Sequence, residues 1–125
     1  MTEFKIGDRV LHLVLSMDAW ERFETIYHKR IDQVILSLEG TDDLSSTLDI
    51  FAELARTGDE LMGIEEPVTR EWISRRVRPG ALVAMAAAAV QAINEGLSVE
   101  GVDDKPEVVD LVLEEIKKKA ETEAS

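Results

Sequence analysis

The chain contains two histidines and no cysteine. Metal or nucleophile chemistry would therefore rest on His12, His28, carboxylates and hydroxyls. The histidines fall on different predicted elements, and neither has a second histidine at helical spacing, so a zinc site lacks its ligand set. His12 reads as a partly buried strand residue and His28 as a surface or hinge residue. A disulfide framework and a thiolate site are both ruled out by composition. The carboxylate pairs Asp42-Asp43, Glu65-Glu66 and Asp103-Asp104 sit beside helix starts or prolines, where capping and solvation explain them. Ser16 and Ser45-Ser46 read as caps, and no serine has a base at a plausible spacing. There is no glycine-rich phosphate loop; Gly7-Asp8 and Arg78-Pro79-Gly80 are turns. These residues assign no catalytic, cofactor or metal site, and the expectation is a protein that is not an enzyme and needs no cofactor.

Two constellations carry more. Asp49 and Glu53, four residues apart, share a helix face, as do the Mg²⁺ ligands of helical nucleotide pyrophosphohydrolases. No second carboxylate pair on a partner helix and no phosphate-binding set of bases accompanies them. The other is basic. Arg70, Arg75, Arg76 and Arg78 fall in a stretch from Val68 to Gly96 with a net charge of +2, next to Gly40–Pro67 with a net of −7. The arginines either pair with the acids of 42–66 within the chain, at little gain per exposed pair, or join basic face to acidic face between copies. Such a heterologous contact closes into a ring or opens into a helix.

The elements that hold these residues follow from periodicity. Glu3–Ile6 and Arg9–Leu15 read as two strands joined at Gly7-Asp8, with positive φ at Gly7. A lone hairpin is marginal, so it must lie on helices or on another chain. Ser16 to Leu38 carries Met17, Trp20, Phe23, Tyr27, Ile31, Val34, Ile35 and Leu38 on one helical face. This predicts a long helix capped by Ser16, bending near Tyr27–Arg30, that nucleates the core, while Glu21, Arg22, Glu24, Lys29 and Asp32 stay wet. Asp42-Asp43 open a second helix that buries Leu44, Leu48, Phe51, Leu54, Ala55 and Leu61 or Met62, weakened at Gly58 by about 1 kcal/mol relative to alanine. Thr69 caps a short helix that buries Trp72, Ile73 and Val77. Pro79 starts the next helix, Gly80–Glu95, whose alanines suit close packing and make it the candidate central helix. Leu97 to Pro106 reads as a linker. From Pro106 the positions Val108, Val109, Val112 and Ile116 define an amphipathic terminal helix, which either docks on its own domain or binds a partner's helix.

The predicted architecture is α+β, mostly helical, an N-terminal β-hairpin packed on about five helices. It divides into a core domain, 1–97, and a linker with a terminal helix, 98–125. The net charge of −12 argues against a nucleic-acid partner. No run reaches the 18 apolar residues of a membrane span, and the polar start (Glu3, Lys5, Asp8, Arg9) is unlike a signal peptide. A cytoplasmic location without membrane contact is expected.

The order of motifs is similar to a known family. A hairpin leads into Leu15-Ser16-Met17-Asp18-Ala19-Trp20-Glu21-Arg22-Phe23-Glu24. Leu48-Asp49-Ile50-Phe51-Ala52-Glu53-Leu54-Ala55 follows, and then a Gly-acidic-Pro loop with a helix start from Gly63 to Trp72. This pattern, over Phe4 to Leu97, resembles the tail assembly chaperones of long-tailed bacteriophages and related prophage or gene-transfer particles. The resemblance implies a non-enzymatic protein of the host-cell cytoplasm, absent from the mature virion. It would coat the tape measure protein, yield to the tail tube protein, and self-associate into a homo-oligomer. The segment from Pro106 onward has no place in that pattern. Two other readings stand beside it: a small acidic regulatory module, antitoxin- or adaptor-like, that caps one protein partner, and an Mg²⁺-dependent hydrolase using Asp49 and Glu53.

Overall fold

The computed structural model describes residues 1–40 and 43–98. It has an N-terminal hairpin, β1 (Thr2–Ile6) and β2 (Arg9–Leu13), followed by α1 (Met17–Thr25), α2 (Ile31–Gly40), α3 (Leu44–Leu61), α4 (Arg70–Arg76), a 3₁₀ turn (Pro79–Ala81) and α5 (Leu82–Leu97). The fold is thus mostly helical α+β, as expected. The antiparallel register pairs Thr2 with Leu13, Phe4 with Leu11 and Ile6 with Arg9. Gly7 takes φ 61°, the left-handed conformation that a two-residue hairpin turn requires. Thr2, Ile6, Leu11 and Leu13 are buried, so the hairpin's inner face is the one laid on the helices.

The Ser16–Leu38 stretch forms two helices rather than one. Ser16 caps α1 by accepting from the Ala19 N–H at 3.0 Å, but α1 stops at Thr25. His28 adopts a left-handed φ of 54°, and the Lys29 N–H donates back to the Phe23 carbonyl at 2.9 Å. That closure, spanning seven residues, terminates the helix and is unusual in using a non-glycine residue at positive φ. The Arg30 N–H then donates to the Gln33 side chain at 2.9 Å, and α2 begins. A continuous helix over these 23 residues would run about 35 Å, against about 27 Å for α3. Breaking it lets α1 pack on α3, and α2 on both α3 and α5. Phe23, Val34 and Leu38 are buried as predicted; Met17 is 82% exposed, since it lies on the first turn beyond the neighbouring helices.

The axis of the fold is α3, which packs against β2, α5, α4, α2 and α1. Asp43 caps it, accepting from the Ser45 N–H at 3.0 Å. The helix continues without a break through Gly58. A β-carbon there would lie 1.6 Å from the His12 carbonyl oxygen, so glycine is what lets β2 press against the helix backbone. The contact is completed by the Val14 N–H donating to the Leu54 carbonyl at 3.2 Å and by Phe4 meeting Phe51 edge to face at 5.1 Å. Phe51, Ile50, Leu54 and Ala55 are buried, but Leu44, Leu61 and Met62 at the two ends are exposed. The helix outruns its neighbours there, which corrects the longer predicted stripe.

The alanine-rich α5 is a flank rather than the centre. Met85, Ala86, Ala89, Ala92 and Ile93 face inward, and only 28% of the apolar span is buried. By length and mean hydropathy alone, Pro79–Leu97 is long and apolar enough to cross a membrane, although Gln91, Asn94 and Glu95 interrupt its apolar run. Its inward face packs on α3, α2 and the hairpin.

Candidate interaction surface

The acids of α3 are tied up within the fold. Glu53, 4% exposed, accepts from Arg22 Nε of α1 at 2.6 Å and also from Arg56. Arg56 bridges on to Glu60. The Glu53 hydrogen bond is the largest cause holding the Arg56 guanidinium pKa above its ordinary value. Asp49 accepts from Arg70 Nε at 2.5 Å, and Arg70 also donates to the Ser45 hydroxyl at 3.1 Å. Asp59, fully buried, accepts from Arg9 Nη2 and from the Val68 N–H, both at 2.7 Å. It thereby pins the hairpin turn and the loop before α4 to the end of α3. A buried carboxylate is tolerable only with such partners.

Tyr27 stands at the edge of this network. Burial is the main cause raising its phenol pKa, and the Glu53 and Asp49 charges add to it. Arg22, Tyr27, Glu53, Arg56, Thr69 and Arg70 line a cavity of about 390 Å³. Its three guanidiniums are each paired with a carboxylate of α3: Arg22 and Arg56 with Glu53, Arg56 also with Glu60, and Arg70 with Asp49. Among the described residues, no group of three or more His, Asp or Glu side chains is arranged to hold a metal ion.

The four predicted arginines do not act as one patch. Arg70 reaches α3. Arg75 pairs with Glu71 one turn back at 2.6 Å. Arg76 donates to the Trp72 carbonyl at 3.2 Å, with its guanidinium 4.3 Å from the Trp72 ring centre. Arg9 approaches the same ring at 5.0 Å. Trp72 is half-buried rather than fully buried as predicted, and the two guanidiniums stack on its ring. Arg78 forms no ion pair among the described residues and lies at the rim of an apolar groove. Val108, Val109, Val112 and Ile116 lie outside the described residues.

That groove is where the surface is distinctive. Leu44 and Leu48 from the start of α3, Val77 after α4, Pro79, and Leu82 and Met85 from the start of α5 enclose about 230 Å³, with Ser74 and Arg78 at the edge. Leu44 is 52% exposed. Further apolar side chains stand open on α2 (Leu36), on α5 (Val83, 71% exposed) and at the end of α3 (Leu61, Met62, then Ile64).

Sequence reasoning missed two features. Arg22 was expected to stay wet, yet it closes the buried network on Glu53; residues 31 apart give no local spacing to read. Leu44 was assigned to the core on its helical phase, which is correct for the helix and silent on where its neighbours end. No family model, curated protein or solved structure matches the chain.

Proposed function

We propose that this protein is a phage tail assembly chaperone, a non-enzymatic holdase that binds and solubilises the helical tape measure protein in the host-cell cytoplasm before the tail tube protein displaces it. The observation that carries the reading is the open apolar surface on a strongly acidic chain. Leu36, Leu44, Leu61, Met62 and Val83 are each more than half exposed while the net charge is −12. A holdase needs both features. Exposed apolar positions along a groove receive an amphipathic helix, and a large net charge keeps the loaded complex soluble. The pattern of motifs from Phe4 to Leu97 supports the same reading. The pairing of Asp49, Glu53 and Asp59 with arginines favours a structural use of these acids over the hydrolytic alternative.

Co-expression with the long helical protein that such a chaperone would serve tests the proposal. The expected result is a soluble complex with many copies of this chain per partner. A tight one-to-one complex with a small partner would instead favour the capping-module reading. A partner that stays insoluble in its presence would remove the holdase reading altogether.

A further inference from the structure

We propose that the groove between α3, α4 and α5 receives the outer face of α1 from a second copy of this chain, head to tail, with Met17 as the side chain that enters it. The groove encloses about 230 Å³, below the roughly 300–1,000 Å³ of a small-molecule site. Its walls of Leu44, Val77, Leu82 and Met85 suit a large apolar side chain presented by a helix. α1 presents one. Met17 is 82% exposed, more than any other large apolar side chain among the described residues. Its thioether is long, unbranched and adaptable, which suits an irregular apolar slot.

Charge selects the same two surfaces. Among the described residues Arg76 and Arg78 form no ion pair, whereas Arg9, Arg22, Arg30, Arg56, Arg70 and Arg75 each hold a carboxylate. Both are exposed, and Arg78 lines the groove. Asp49, Glu53, Asp59 and Glu60 of α3 are already held by arginines of their own chain. On α1, Asp18, Glu21 and Glu24 are exposed and form no ion pair among the described residues. Glu21 and Glu24 share the helix face of Met17, four and seven positions on, and Asp18 adjoins it. An apolar knob ringed by carboxylates thus matches an apolar slot rimmed by guanidiniums, the arrangement of a protein interface with an apolar centre and a polar rim. Opposite charges at the contact also offset the repulsion between two copies of net charge −12. The two surfaces are different parts of the chain, so the contact is heterologous, and its repetition builds a ring or a filament.

The contact does not depend on the chaperone reading, and its test uses the purified full-length chain alone. Sedimentation velocity of the parent at rising concentration is expected to show species beyond the dimer. Met17→Asp disables one surface and Leu44→Asp the other. Each puts a carboxylate in the first turn of its helix, where the dipole favours it, so circular dichroism and the unfolding midpoint should match the parent. Each variant alone is expected to associate at least about tenfold more weakly than the parent. An equimolar mixture of the two keeps one intact pair of surfaces and is expected to form a dimer that grows no further. In the parent background Arg78→Glu should weaken association about tenfold, and adding Asp18→Lys and Glu21→Lys to the same chain should restore most of it. The proposal is overturned by a parent that stays monomeric or stops at a dimer, by a mixture that stays monomeric, or by a variant that associates as the parent does. Failure to bind a client would leave all of these results unchanged.

Discussion

α3 and α5 are similar in length and opposite in what they do with their side chains. α3 has five charged residues among eighteen, yet eleven of its residues are buried. α5 has one charged residue among sixteen, and five are buried. Composition alone would place α5 at the centre. What places α3 there is that it has a neighbour on every side, with the hairpin on one face and α1, α2, α4 and α5 around the rest. Its charges survive burial because Arg22, Arg56, Arg70 and Arg9 meet them. α5 packs on α3, α2 and the hairpin, and its outer side stays open, apolar at Val83, Ala84 and Ala87 and polar at Gln91, Asn94 and Glu95. The difference teaches that burial follows from where partners stand, and that an unpartnered apolar helix face is a place for something else to bind.

The largest expected effect is at the closest approach in the molecule. In an ordinary helix Gly→Ala gains up to about 1 kcal/mol. At position 58 it should cost about 3 kcal/mol or more, because the new methyl meets the His12 backbone, which cannot give way as a side chain can. Denaturant unfolding of Gly58→Ala measures it; a variant as stable as the parent would break the placement of the hairpin on α3.

Removing the charge that α3 buries comes next. Glu53→Ala should destabilise by about 2 kcal/mol, less than a fully enclosed pair because Arg22 and Arg56 reach solvent. Thermal unfolding by calorimetry checks this, and no change would mean that the network is incidental.

On α5 the expected effect on folding is small. Val83→Asp should leave unfolding within about 0.5 kcal/mol of the parent while weakening client binding or self-association in sedimentation velocity. A large loss of stability would mean that this face is already covered by folded chain.

The smallest effect is spectroscopic. Tyr27 is the chain's one tyrosine, so phenolate absorbance reports it alone. It should ionise above the ordinary value of about 10, because burial disfavours the anion and Glu53 and Asp49 add to that. Glu53→Gln should bring the midpoint only part of the way back. With the folded pKa raised, the group's contribution to stability is complete below the unfolded value and disappears as pH rises through the folded one. An unshifted midpoint would remove Tyr27 from the edge of the network.

Much of the fold was legible locally. The hairpin with left-handed Gly7, the caps at Ser16, Asp43 and Thr69, the proline start before α5 and the hinge at His28 are all written in neighbouring residues, because turns and caps involve atoms a few positions apart. The candidate surface was less so. Arg78 was singled out for its charge, but Leu44, beside it in the groove, was assigned to the core.

By itself the amino-acid sequence determined the hairpin, the caps and starts of α1, α3 and α4, the apolar phase of the described helices, and that its two histidines and lack of cysteine supply no zinc ligand set. Those properties depend on periodicity and residue type, which a short window contains. Only the tertiary structure decided that α3 is the axis, that Gly58 is a contact rather than a flaw, that Arg22 and Arg9 close on Glu53 and Asp59, and which apolar faces remain open. Those outcomes depend on how many neighbours each helix meets and where those neighbours stop, and residues 30 or 50 positions apart leave no periodic trace of their meeting.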